Sequence, residues 1–419
     1  MREMKDSGIE WIGEIPKDWE RARLKDYFCF EKGKNAQMYT IEYIGRNEGI
    51  YPVYSGQTEN NGVMGKINKY DYDVDECLFT TTVGAKVMTP KYLTGKFSLS
   101  QNCLIMQPAK DSSVKYFYYM LHPLFDFQKS NIPAYMQPSL RMEDLEKMVC
   151  CLPNLMNQKI IADFLDTQCS EIDATAEDIQ KEISLLEEYK KSVITEAVTK
   201  GLNPDAEMKD SGIKWIGKIP INWQAVNPRW LFAQRKDRAK KGMEQYTASQ
   251  KYGVISQKDY MNRIGGSIVT VQKDFDILKM VCEGDFVIHM RSFQGGLEYS
   301  EHTGSISSAY VMLIPPKNTG ECRYFKWLFK SASYINALQS TSNLIRDGQA
   351  MRYSNFIQII IPYPPLDEQQ QIADFLDTKC SEIDAIIADK KRQRDILADY
   401  KKSLIYEYVT GKKEVPINE

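Results

Sequence analysis

The sequence is short of net charge, histidine, paired cysteines and long apolar runs, and each shortage removes a class of protein. Across 419 residues, 54 lysines and arginines against 56 acids leave a net charge of −2. That balance argues against a protein that coats nucleic acid by bulk charge, while a local basic cleft stays open. No apolar run approaches the roughly 18 uninterrupted residues of a spanning helix. The charged opening Met1–Asp6 has no apolar stretch behind it and does not read as a signal peptide. The 9 cysteines include no CxxC pair, and Cys150 and Cys151 are adjacent within an apolar run. The 3 histidines, His122, His289 and His302, are scattered. Reduced, mostly buried cysteines in a cytoplasmic protein without a metal site are expected.

Catalytic signatures are missing as well. No P-loop and no Gly-rich nucleotide loop after a strand can be found. The Asp/Asn-Pro-Pro-Tyr loop of adenine methyltransferases is missing, and Pro362-Tyr-Pro-Pro365 reads as a turn into a helix. Glu188-Tyr-Lys190 has nuclease-like letters but sits within a helical pattern. No nucleophile stands beside a histidine in an assignable way.

What the chain does have is a repeat. Met4-Lys-Asp-Ser-Gly-Ile-Glu-Trp-Ile-Gly-Glu-Ile-Pro-Lys-Asp-Trp19 returns as Met208-Lys-Asp-Ser-Gly-Ile-Lys-Trp-Ile-Gly-Lys-Ile-Pro-Ile-Asn-Trp223, an offset of 204 (208 less 4). Ile161-Ala-Asp-Phe-Leu-Asp166 returns as Ile372-Ala-Asp-Phe-Leu-Asp377, an offset of 211 (372 less 161) that runs ungapped to Ser192 and Ser403. Ungapped repetition is what a continuous helix demands, because one inserted residue turns everything after it by about 100°. Between the blocks the halves are only faintly alike. Lys115-Tyr-Phe-Tyr-Tyr-Met-Leu121 resembles Arg323-Tyr-Phe-Lys-Trp-Leu-Phe329, and Leu140-Arg141-Met142 falls opposite Met351-Arg352-Tyr353. A shared frame with divergent surfaces suits a molecule that recognises two different things.

The repeated block carries heptads. Leu165, Ile172, Ile179, Leu186 and Val193 form one set, and Ala162, Cys169, Ala176, Ile183, Lys190 and Ala197 the other. The second copy gives Leu376, Ile383, Lys390, Leu397 and Leu404, with Ala373, Cys380, Ile387, Arg394 and Lys401. Polar residues on such a seam cost stability and fix register and partner. Two helices of roughly 60 Å are expected to pair with each other, antiparallel. Gly201 followed by Pro204 ends the first, and Asp367 with Gln370 forms an N-cap pair for the second.

The expected organisation is α+β: a recognition domain over 1–156, a long helix over 157–203, a second domain over 204–366, a second helix over 367–413 and a tail over 414–419. Strands are expected at Tyr51–Ser55, Cys77–Val83 and Ser100–Met106, then at Gly266–Val271, Asp285–His289 and Ser308–Ile314. Helices are expected near 114–130 and 322–340.

Two loops carry base-reading chemistry. In Arg291-Ser-Phe-Gln-Gly-Gly296, Arg291 can bridge guanine, Gln294 can bridge adenine, and the glycines let backbone approach a groove closely; Ser292 and Gly295 are DNA-binding candidates with them. The first half's counterpart runs to Lys86 and includes Thr82. Gln137 and Arg141, and Arg346, Gln349 and Arg352, lie near the domain ends. Lys66 and Lys69, and Arg238, Lys240 and Lys241, are candidates for phosphate contact, which positions without specifying.

Trp-Ile-Gly-x-Ile-Pro-x-x-Trp before each domain, with Pro364-Pro-Leu-Asp-Glu-Gln369 and Ile372–Asp377 after the second, resembles the specificity subunit of type I restriction–modification systems (the HsdS family). The first copy, Pro153-Asn-Leu-Met-Asn-Gln158, departs by lacking the second proline and the glutamate. The resemblance implies two target recognition domains joined by paired antiparallel helices, reading a bipartite site on double-stranded DNA. It implies two methylation subunits carrying S-adenosylmethionine and a restriction subunit using ATP and Mg, with neither catalytic residues nor cofactor in this chain and no membrane partner. Leu165, Ile172, Ile179, Leu186, Leu376, Ile383, Leu397 and Leu404 would then form the helix seam. The alternatives are a protein-binding coiled-coil scaffold without DNA specificity and a self-contained methylating or cleaving enzyme.

Overall fold

The computed structural model describes the chain except residues 1, 58, 85, 134, 267–276, 317–319, 342–350 and 417–419. It divides into two compact units: Met1–Gln180 with Arg392–Glu419, and Lys181–Lys391. The division runs through the middle of each long helix.

Unit 1 opens on a hairpin of Met4–Asp6 and Glu14–Pro16. Strand Glu20–Arg23 then pairs with Val149–Leu152, closing the domain at its two ends. A six-stranded sheet lies between them, in the order Phe28–Lys32, Cys103–Pro108, Tyr72–Thr81, Lys91–Leu99, Glu48–Tyr54, Val63–Ile67. Its neighbours are antiparallel except for the parallel pair of Glu48–Tyr54 with Lys91–Leu99. Helix Val114–Ser130 packs its aromatic face, including Tyr116, Phe117 and Phe125, into the core. The first long helix, Leu155–Lys200, contributes Ile161, Ala162, Leu165 and Cys169 to the same core. The remaining wall comes from the end of the second long helix, through Leu404, Ile405, Tyr408 and Val409.

Unit 2 repeats the frame. Hairpin Met208–Asp210 with Lys218–Pro220 leads in, and strand Gln224–Val226 pairs with Ile361–Tyr363. Its main sheet has four strands, Ala233–Arg235, Val311–Ile314, Phe286–Ile288 and Glu298–Tyr299, with two further two-stranded pairs. The expected helix over 322–340 is two helices, Cys322–Lys330 and Ala332–Ser340, because Ser331 adopts extended backbone and caps the second. The second long helix, Leu366–Val409, supplies Ile372, Leu376 and Cys380 to the core, and the first supplies Ile194, Ala197 and Val198. Asp367 therefore lies inside the first turn and is not the N-cap. The expected strand at Gly266–Val271 falls, beyond Gly266, outside the described residues. All nine cysteines are free, and six of them are buried.

The helices pair antiparallel within each unit. In unit 1, Asp173 meets Lys401 at 2.6 Å and Gln180 meets Arg394 at 2.8 Å. In unit 2, Glu182 meets Lys390 and Lys190 meets Asp384, both at 2.6 Å. As the number climbs on one helix it falls on the other, which defines the direction. The Lys190–Asp384 and Asp173–Lys401 pairs are one interaction written twice, since both members shift by 211. The polar seam residues thus set register, as polar seam positions do in coiled coils. Of the seam leucines and isoleucines, Leu165, Ile179, Leu376, Ile383 and Leu404 are buried, and Ile172, Leu186 and Leu397 are half-buried.

Several joints between domain and helix recur in both units. Gln158 Oε1 accepts from Ser113 N–H and its amide donates to Pro153 O. Gln369 does the same with Glu321 N–H and Pro364 O. Asp166 accepts from Lys115 and from Tyr119 Oη, while Asp377 accepts from Arg323 and Trp327 Nε1. The lead-in tryptophans seat on the terminal glycines of the long helices. A Cβ at Gly411 would lie 2.5 Å from Pro16 and 3.1 Å from Trp19, and one at Gly201 would lie 3.3 Å from Trp223.

One joint differs. Trp223 Nε1 donates to Glu368, which also accepts from Asn222. The position 211 residues earlier is Asn157, one methylene shorter, and Trp19 Nε1 is buried without a partner among the described residues. An unmade buried donor costs about 1–3 kcal/mol. Asn157→Gln is expected to supply the acceptor without setting a second charge near Asp18, and to raise the urea midpoint of unit 1; an unchanged midpoint would refute this reading of the joint. Lys190→Asp is expected to destabilise by up to about 1 kcal/mol, with Asp384→Lys in the same chain restoring it. A double-mutant cycle in urea measures that coupling, and a coupling of zero would argue against the pair as a register device.

Candidate nucleic-acid interface

In unit 1 the strand ends and following turns form a cleft of about 1240 Å³ with polar and apolar lining. Thr82 and Arg141, both singled out in the sequence, line it with Lys32, Asn35, Gln101 and Asn102. Backbone bonds hold its walls together: Thr82 N–H donates to Asn102 O at 2.8 Å, and Leu140 N–H donates to Thr82 O at 2.9 Å. Buried Leu140 anchors one rim, so that exposed Arg141 heads the short helix Met142–Lys147. Gln137 lies exposed in the loop just before. Tyr135 stands out from the same loop at 88% exposure. Lys86 is exposed beyond Thr82, while Lys66 and Lys69 belong to the far edge of the sheet and do not line the cleft. Asn35, Gln101 and Asn102 escaped the sequence reading. Their one local signal is left-handed backbone at Asn35 (φ 51°) and Asn102 (φ 63°), which marks tight turns without saying what the turns face.

In unit 2, Arg291 and Gln294 are exposed on the single turn Ser292–Gly295, after strand Phe286–Ile288. Ser292 is a correction. It is fully buried, and its Oγ accepts from His289 N–H at 2.9 Å, so it shapes the turn and cannot reach a base. The glycines are a second correction. A Cβ at Gly295 would lie 2.7 Å from Gln250, and one at Gly296, where φ is +78°, would lie 2.0 Å from Phe329 O. Their smallness admits this domain's own packing, not a groove. Arg352 is exposed before Tyr353–Phe356 with buried Met351 as anchor, the same device as Leu140–Arg141. Arg346 and Gln349 lie outside the described residues.

Lys240 and Lys241 are exposed in a turn, and Arg238 donates to Ile277 O. Arg235, by contrast, is held by Asp285 and Asp237. A basic–aromatic cluster missed by the sequence reading lies beside the Arg291 turn. Lys251 and Arg263 both sit over the Tyr252 ring, at 5.1 and 5.0 Å, and Gln250 of the same hairpin donates to Arg291 O.

Each unit also has a groove beside the end of a long helix. In unit 1 it encloses about 800 Å³ and is lined by Trp11, His122, Phe127, Lys402, Ser403 and Tyr406, among others. Burial lowers the His122 pKa to about 4, so its ring is neutral at physiological pH. In unit 2 a smaller groove of about 320 Å³ is lined by Lys191, Ser192 and Thr195, the residues 211 before Lys402, Ser403 and Tyr406.

Comparison with known proteins agrees with this architecture. The model of the type I restriction modification DNA specificity domain matches twice, over residues 16–185 and 220–393. The type I restriction enzyme MjaVIII specificity subunit of Methanocaldococcus jannaschii is 24% identical over 96% of this chain and 94% of its own. The MpnII specificity subunit of Mycoplasma pneumoniae is 30% identical over 35% of this chain and 43% of its own. Among solved structures, a chain from work on complex assembly and conformational transition of the type I R-M system has a TM-score of 0.66. It covers 94% of this chain and 98% of its own at 11% identity, which shows a shared fold. The doubled frame and the doubled family match together make this chain a member of the type I restriction–modification DNA specificity family.

Proposed function

We propose that this chain is the sequence-reading subunit of a type I DNA methylating and restricting assembly, each unit reading one half of a bipartite duplex site. The observation that carries this is the contrast between frame and surface. Most joint contacts repeat, while the domains they hold differ: unit 1 has a six-stranded sheet with a cleft at Thr82 and Arg141, and unit 2, among the described residues, a four-stranded sheet with the Arg291–Gln294 turn. A scaffold that only gripped proteins would have no use for two different surfaces on one repeated frame.

The corresponding grooves beside Tyr406 and Thr195 support docking of two copies of one methylation subunit. S-adenosylmethionine would be carried by those subunits, and ATP with Mg by a restriction subunit; the chain itself would contribute no catalytic residue. Among the described residues no helix is long and apolar enough to cross a membrane, and a cytoplasmic location, where the DNA is, belongs to the same proposal.

The helix pair would set the gap between half-sites. Because the Lys190–Asp384 and Asp173–Lys401 pairs fix the mutual register, only matched insertions leave both intact. Four residues after Gln180 and four after Lys391 add about one turn, roughly 6 Å, or about two base pairs. Methylome sequencing of cells carrying that chain with its methylation subunit is expected to show the same two half-sites with a longer gap. Changed half-sites at an unchanged gap would overturn the proposal.

A further inference from the structure

The Arg291–Gly296 turn stands on a buried charge cluster that its surface role does not require. Glu298 is 2% exposed. Its Oε1 accepts from Lys330 Nζ at 2.5 Å and lies 3.6 Å from His289 Nε2. Lys330 Nζ also donates to Gly295 O at 3.0 Å. On the other side, His289 Nδ1 accepts from Arg291 N–H at 3.3 Å. An imidazole nitrogen that accepts carries no proton, so a neutral ring has its proton on Nε2. That is the atom facing Glu298, and it is buried without a hydrogen-bond partner among the described residues. Glu298 thus reaches one end of the turn through Lys330, which it bonds, and at the other end lies beside the His289 ring that accepts from Arg291 N–H, without a hydrogen bond to it.

Burying a carboxylate is costly, and well-packed neutral residues often stabilise a fold as much or more. A cluster kept only for stability would have no reason to contact the backbone at both ends of one exposed turn. We infer that Glu298 is a specificity-determining positioning residue: by holding Lys330 on Gly295 O, beside the His289 ring that accepts from Arg291 N–H, it fixes the turn from which Arg291 and Gln294 meet the bases of one half-site. This rests on the proposal that unit 2 reads DNA.

The test uses the full chain with its methylation subunit in cells, read by methylome sequencing. Two variants are compared with the unaltered chain, Glu298→Gln and Glu298→Gln with Lys330→Met. The double change removes both charges together, which leaves no unpaired buried ion and protects the fold; urea unfolding checks this. In both variants one half-site is expected to lose base identity, with methylation of near-cognate sites rising about tenfold relative to the cognate. The other half-site and the gap stay as they were. An unchanged motif in both variants overturns the inference, as does an even loss of methylation that admits no new sequences. If the unaltered chain yields no two-part motif, the underlying proposal fails, and this inference with it.

Discussion

Each globular domain is closed by a tyrosine bonded to the last turn of a helix that belongs, in sequence, to the other half. Fully buried Tyr116 donates to Val409 O at 3.0 Å, and Tyr324 donates to Val198 O at 3.1 Å. Burial holds both hydroxyls well above their usual pKa, so they remain donors. Neither core is complete without that helix end, since Leu404 to Val409 wall one and Ile194 to Val198 the other. The rest of the frame follows from this constraint. A helix that begins in one unit and finishes in the other's core must be long and unbroken, and its partner must run the opposite way.

The long helices and their direction were legible because their signal is local and periodic. Heptad positions from Leu165 to Leu404 predict a seam, and seam lysines such as Lys190 and Lys401 announce a paired charge. The lead-in blocks were visible as repeats, yet their purpose was not. Trp19 and Trp223 seat on Gly411 and Gly201, contacts that only the folded chain brings together. Sequence order places each long helix between domains, while packing gives its two ends to different cores.

The site was legible in part. Arg291, Gln294, Arg141 and Arg352, candidates by side-chain chemistry, are exposed. Ser292 has the right chemistry in the wrong direction, since nothing in Ser-Phe-Gln-Gly says that its hydroxyl turns inward to His289. Glu298 and Lys330 are far apart in sequence and unremarkable alone, so their joint grip on the turn could not be read from spacing. Asn157 shows the reverse: the sequence flagged the missing glutamate, and only the structure shows Trp19 Nε1 as what it leaves unmatched.

One repeated frame holds two domains of different surface. The most direct measurement exchanges one face. Residues 24–150, which lie between the repeated blocks, are replaced by the corresponding segment of another family member, and the methylome is sequenced with the same methylation subunit. The account predicts that one half-site changes while the other half-site and the gap are retained. A change in both half-sites, or in neither, would contradict it.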